Sequence, residues 1–136
     1  MRVLAAEDNR TNQLVFRKMT KDLSIDLVFA NNGREAVELF QSWHPDLILM
    51  DVSMPEMDGR DATRAIRALE AHLGGHVPIV ALTAHAMEGD ETGILASGMD
   101  RYLTKPLRKS AITEVIIAFC PPDARPVADP LMLDAG

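Results

Sequence analysis

Short apolar runs, several of them β-branched, recur near 2–6, 25–30, 46–50, 78–82 and 101–104. Each has the length and residue type of a strand. Between them lie longer stretches in which apolar residues return at helical spacing. The first aligns Leu14, Val15, Met19 and Leu23 on one predicted stripe. The second opens at Asn32-Gly33-Arg34-Glu35, where Asn32 caps and Glu35 reaches back to it; it then buries Ala36, Val37 and Phe40. The third carries Ala62, Ile66 and Leu69 and ends near Gly74-Gly75. The fourth, near 86–97, contains Gly89 and Gly93 and stops at Gly98; the fifth carries Ile112, Val115, Ile116 and Phe119 and stops at Pro121-Pro122.

Five strands alternating with five helices predict right-handed βαβ units, hence a parallel sheet covered on both faces. The runs at 46–50 and 79–82 are apolar on both faces, as central strands are. In open sheets of this kind, ligands bind beyond the carboxyl ends of the strands. Here those ends are polar. Val3-Leu4-Ala5-Ala6 runs into Glu7-Asp8, Leu47-Ile48-Leu49-Met50 into Asp51, Ile79-Val80-Ala81-Leu82 into Thr83, and Tyr102-Leu103-Thr104 into Lys105. One sheet edge thus collects three carboxylates, a hydroxyl and an ammonium.

Composition narrows the picture. The 136 residues suit one domain with a real core. A formal charge of −6 argues against nucleic-acid binding through phosphates. The single cysteine, Cys120, excludes an internal disulfide and fits a reducing, cytoplasmic setting. The N-terminus reads as a strand, without the pattern of a secretory signal, and no apolar run nears the roughly 20 residues that cross a bilayer. Four of the eight prolines (121, 122, 126, 130) fall in the last 16 residues, so 1–120 reads as the folded domain and 121–136 as a disordered tail or linker.

The polar edge suits a divalent cation and a phosphoryl group. Mg²⁺ takes carboxylates, waters and phosphate oxygens in near-octahedral array. Asp8 and Asp51 are candidates for direct ligation, Glu7 for ligation through water, and the backbone carbonyl of Ser53 for a further position. Held in line with a phosphoryl group, an aspartate carboxylate becomes a competent nucleophile. Transfer then needs mainly positioning and charge neutralisation. Lys105 and the Thr83 hydroxyl are placed to take oxygens that the metal does not.

The motifs Glu7-Asp8-Asn9, Asp51-Val52-Ser53-Met54-Pro55-Glu56-Met57-Asp58-Gly59, Thr83-Ala84-His85-Ala86 and Gly98-Met99-Asp100-Arg101-Tyr102-Leu103-Thr104-Lys105-Pro106 resemble the receiver domain of two-component response regulators. The resemblance implies a flavodoxin-like (βα)5 sandwich with parallel strand order 2-1-3-4-5. It implies Asp51 as phosphoacceptor, Glu7 and Asp8 as the acidic Mg²⁺ pair, Lys105 as the phosphate-contacting lysine, Thr83 as switch hydroxyl and Tyr102 as switch aromatic. Ser53 and His85 are candidate positions for tuning the reaction, and the resemblance implies a cis Lys105–Pro106 bond, as is usual in this family. Glu7-Asp8-Asn9 with Asn12 and Gln13, together with Thr83-Ala84-His85-Ala86-Met87 and Gly98-Met99-Asp100, is most similar to receivers of hybrid histidine kinases. The implied partners are a histidine kinase core or a histidine phosphotransfer protein, neither of which this chain carries. The resemblance implies a signalling domain that assists its own phosphotransfer and dephosphorylation. It implies neither nucleic-acid binding nor membrane insertion.

Taken singly, each residue has a plainer role. Asp8 is a usual N-cap type, Asp51 a loop acid, Thr83 a turn residue, Lys105 a solvated lysine and Tyr102 a packing residue. His85 is as well suited to facing water as to touching the site. Only their joint occurrence at consecutive strand ends singles them out. A rival reading is a small aspartyl-nucleophile phosphatase of the haloacid-dehalogenase type. That family wants an acid two positions after the nucleophile, where this chain has Ser53, and a late acidic pair for which nothing after Lys105 is suited. A third is an interaction module that has lost phosphorylation, which the intact residue set disfavours.

Overall fold

The computed structural model describes residues 1–23, 25–52, 57–83, 96–105 and 107–119. Five parallel strands form one sheet in the order β2-β1-β3-β4-β5. They are β1 (Arg2–Ala6), β2 (Asp26–Ala30), β3 (Leu47–Asp51), β4 (Ile79–Thr83) and β5 (Arg101–Thr104). The described helices are α1 (Arg10–Thr20), α2 (Gly33–Trp43), α3 (Gly59–Leu73) and α4 (Lys109–Ala118). Each strand lies within one residue of its sequence expectation.

The period-two alternation of the strands divides the core between two faces. Leu4, Ala6, Ile48, Met50, Ile79 and Ala81 pack with Ala36 of α2 and Ala62 and Ile66 of α3. Val3, Ala5, Leu47, Leu49, Val80 and Leu82 pack with Phe16 of α1 and Ile112, Val115 and Ile116 of α4. Every residue of β3 and β4 is buried, whereas the edge strands β2 and β5 are largely not. The sheet is therefore doubly covered, as its runs of consecutive apolar residues require.

Two local expectations need correction. Of the stripe Leu14-Val15-Met19-Leu23, only Met19 and Leu23 pack against the core. Leu14 is 60% exposed and Val15 44%, while Phe16 and Thr20 are the buried residues of α1. Thr20 is buried because its hydroxyl donates to the Phe16 carbonyl at 3.0 Å, so its polar group is satisfied within its own helix. At the start of α2, Asn32 caps as expected, accepting from the Glu35 N–H at 2.8 Å. The Glu35 carboxylate, however, reaches the N–H of Asn31 at 3.0 Å and its side-chain amide at 3.1 Å.

The helix predicted near 86–97 falls mostly outside the described residues. Ser53, His85, Pro106, Cys120 and the tail 121–136 lie wholly outside them.

Candidate functional site

Strand register sets the site. β1 and β3 pair Ala6 with Met50, so the next residues, Glu7 and Asp51, leave the sheet side by side. β3 and β4 pair Asp51 with Leu82, which puts Thr83 one step beyond. β4 and β5 pair Thr83 with Thr104, and the Lys105 N–H donates to the Thr83 carbonyl at 2.8 Å. Together with Asp8, Asn9, Asn12 and Leu82, these four residues line a cleft of about 230 Å³.

The Asp51 carboxylate is 6% exposed, and the Lys105 ammonium sits 2.9 Å from its Oδ2. The same ammonium is 3.6 Å from Glu7 Oε1. Burial and the adjacent Asp51 carboxylate raise the pKa of Glu7 above the ordinary glutamate value, with Lys105 opposing the shift. Burial disfavours the Lys105 ammonium, but Asp51 and Glu7 outweigh it and hold its pKa above the ordinary lysine value. The site is thus a crowded anionic pocket with one cation in it.

Asp8 is exposed and is not the cap of α1. That role falls to Asn9, whose side chain accepts from the Asn12 N–H at 3.1 Å. The plainer reading of Asp8 is therefore excluded by the geometry. One carboxylate oxygen each from Glu7, Asp8 and Asp51 lies within 4.8 Å of the others. Three carboxylates converging on one point form an all-oxygen donor set of the kind that hard divalent cations take.

Several supporting residues were not visible as such in the sequence. Gln13 Nε2 donates to the Glu7 carbonyl at 2.6 Å and to Asn31 Oδ1 at 3.1 Å, tying the β1–α1 turn to the β2–α2 turn. Gly59 opens α3 against the end of β3, and its N–H donates to the Val52 carbonyl at 3.1 Å. A Cβ on Gly59 would overlap the Asp51 carbonyl oxygen. Gly33 meets the Met57 carbonyl oxygen in the same way. The motif resemblance covers Gln13 and Gly59, but neither spacing nor residue type gives their contacts. Tyr102 is half-buried beside the face carrying Met50 and Ala81.

Comparison with known proteins agrees with this geometry. The family model of the response regulator receiver domain matches residues 3–117. The chain is 46% identical over 119 residues to the sensor protein GacS of Pseudomonas syringae, covering 87% of this chain and 13% of that protein. It is 43% identical over 120 residues to hybrid signal transduction histidine kinase I of Dictyostelium discoideum, covering 85% of this chain and 7% of that protein. The chain therefore spans a small part of these relatives. Among solved structures, it is similar to the receiver domain of a sensor histidine kinase from Pseudomonas aeruginosa, described with a magnesium ion coordinated in the active site cleft. That match has a TM-score of 0.78 and 37% identity and covers 87% of this chain and 95% of that one. A second match is to the co-crystal structure of a histidine phosphotransfer signaling protein with the receiver domain of its downstream response regulator from Saccharomyces cerevisiae. There the TM-score is 0.83 at 34% identity, with 88% of each chain covered. With the fold, the strand-end residues and the family match in agreement, this chain belongs to the receiver domains of two-component response regulators, as a relative of those in hybrid histidine kinases.

Proposed function

We propose that this domain accepts a phosphoryl group on Asp51 from a phosphohistidine donor and acts as a conformational switch in a phosphorelay. The observation that carries this reading is the pairing of a buried Asp51 carboxylate with Lys105 at 2.9 Å beside two further carboxylates. A structural ion pair needs only one carboxylate, and the extra anionic charge is costly unless a cation joins it.

Glu7, Asp8 and Asp51 would hold Mg²⁺, with the Ser53 carbonyl as a further ligand. Bound there, the metal supplies positive charge to phosphoryl oxygens. An Asp51 carboxylate oxygen attacks phosphorus, the phosphorus–nitrogen bond of the donor breaks, and the imidazole nitrogen leaves with the bonding pair. Lys105 moves its charge from the unphosphorylated Asp51 carboxylate to a phosphoryl oxygen, and the Thr83 hydroxyl takes another. Thr83 ends the strand next to Asp51, and Tyr102 lies on the following strand, so this pair would carry the change outward. Attack by water on the aspartyl phosphate would later return the domain to rest. Ser53 and His85 would tune these rates.

The donor is a histidine kinase core or a histidine phosphotransfer protein, the kind of partner seen with the yeast relative. We place the activity in the cytoplasm, or in the cytoplasmic portion of a membrane-bound kinase. Among the described residues no helix is long and apolar enough to cross a membrane. Residues 1–120 would form the receiver and 121–136 a linker.

The test is transfer from a radiolabelled phosphohistidine domain in the presence of Mg²⁺. The label should move to this domain in one-to-one stoichiometry and remain on the donor when EDTA is added. Release of inorganic phosphate over many turnovers without a labelled intermediate would instead support the phosphatase reading.

A further inference from the structure

The edge strand β5 delivers Lys105, yet little in its own sequence fixes its register. It has four residues, of which Tyr102 and Leu103 pack on opposite faces. Both are large and uncharged. A slip that puts Leu103 in the place of Tyr102 and Thr104 in the place of Leu103 brings no charge inward, so the hydrophobic pattern specifies register weakly in that direction. Such a slip moves the chain by about 3.3 Å and turns the pleat over. That distance exceeds the 2.9 Å contact of Lys105 with Asp51.

The opposite end of β5 carries a device that removes the ambiguity. Asp100 precedes the first β4–β5 pair, Val80 with Arg101. Its N–H donates to the Ile79 carbonyl at 2.8 Å. Its Oδ2 accepts the Ile79 N–H, also at 2.8 Å. Both polar backbone groups of the first residue of β4 are thus taken by one residue. The carboxylate is held in turn by Arg67 of α3, whose Nη2 lies 2.9 Å from the same Oδ2. His76 Nε2 sits 2.7 Å from Oδ1.

Arg67 grips both strand entrances. Nε donates to the Gly98 carbonyl at 2.9 Å, just before β5. Nη1 donates to the Val77 carbonyl at 2.8 Å, just before β4, and to Glu70 Oε1 at 2.6 Å. Gly98 has φ +105°, a left-handed conformation suited to glycine, and a Cβ there would stand 3.0 Å from the Arg67 Cγ. This fork-shaped use of a guanidinium is not reproduced by a lysine.

We infer that the Arg67–Asp100 pair is a register lock on β5 and so a positioning device for Lys105, acting from the end of the sheet remote from the phosphoacceptor. Neither residue touches the reacting groups. The inference rests on the phosphoacceptor reading for its activity consequence, but its structural half does not.

Two readings on the intact domain test it, with Asp100→Ala and Arg67→Met as variants. Asp100→Asn serves as a milder form that keeps an oxygen for the Ile79 N–H but loses the charge pairing. Without ligand, amide exchange at Arg101–Lys105 should quicken about tenfold or more in the variants, while β1 and β3 keep their protection. The Lys105 amide, bonded to Thr83, is the central reporter. With ligand, calorimetry should find Mg²⁺ affinity within threefold of wild type, since its ligands leave β1 and β3. Beryllofluoride affinity at saturating Mg²⁺ should fall roughly tenfold or more, in line with the steep cost of small misplacements. Adding Lys105→Ala to Asp100→Ala should weaken it no further than Lys105→Ala alone. Unchanged exchange at β5, equal losses of Mg²⁺ and beryllofluoride, or additive losses in the double variant would each overturn the lock. If wild type itself fails to bind beryllofluoride, the phosphoacceptor reading falls, and β5 exchange alone then decides the lock.

Discussion

At the scale of single residues, the site is governed by unbalanced charge. Glu7, Asp8 and Asp51 face one ammonium, and Lys105 contacts Asp51 closely and Glu7 more loosely. Lys105→Ala should therefore leave Mg²⁺ binding intact while lowering metal-free stability. The side chain is 27% exposed, so about 1–3 kcal/mol is expected, below the roughly 3–5 kcal/mol of a fully buried pair. Thermal unfolding with and without Mg²⁺ measures both effects, and saturating Mg²⁺ should recover much of the loss. Loss of Mg²⁺ affinity would instead make Lys105 part of the site's structure.

Glu7 gives a pH dependence with a definite sign. Its raised pKa means that the folded chain holds this proton more tightly than the unfolded chain. Stability of the metal-free protein should thus gain from Glu7 as pH falls from neutrality through the raised pKa, until the ordinary glutamate value is reached. In Glu7→Gln that gain should vanish, and the variant should melt higher than wild type at neutral pH without metal. Calorimetric melting points across this window check it. A variant with the same pH slope as wild type would contradict the assigned cause.

At the scale of elements, the sequence was most legible where burial is continuous and least legible where one face is shared. The two central strands announce themselves as unbroken apolar runs. In α1, a buried Thr20 interrupts the true core-facing stripe, while Leu14 and Val15 make a false one on the outside. A scan for apolar spacing cannot see that Thr20 satisfies its hydroxyl on its own helix. Phe16→Ala should therefore cost about 3–5 kcal/mol, whereas Leu14→Ala should stay within about 0.5 kcal/mol of wild type. Chemical denaturation of the two variants separates these outcomes, and the reversed order would restore the stripe read from the sequence. Gly59 shows the other limit. Its need for a missing side chain comes from the Asp51 carbonyl oxygen, eight residues away in the chain and adjacent only in the fold. Gly59→Ala should cost about 1–3 kcal/mol through overpacking and weaken Mg²⁺ binding by moving Asp51. Normal Mg²⁺ affinity in a destabilised variant would show that the strand end absorbs the strain elsewhere.

At the scale of the whole molecule, the fold turns a sequence pattern into a site. Glu7, Asp8, Asp51, Thr83 and Lys105 are spread over most of the domain, and parallel pairing brings their strand ends to one edge. That convergence was legible because residue type changes abruptly at each strand end. What links the site to the rest of the molecule was not: the Gln13 ties, the Gly33 and Gly59 approaches, and the Arg67–Asp100 grip at the far edge all depend on tertiary contacts.

The most direct measurement is site mapping after incubation with acetyl phosphate and Mg²⁺. Wild type should gain one hydroxylamine-sensitive phosphoryl group, located by mass spectrometry on the peptide carrying Asp51. Asp51→Asn, whose amide is a poor nucleophile and takes one charge from the carboxylate cluster, should gain none. Full labelling of Asp51→Asn at another residue would contradict the account.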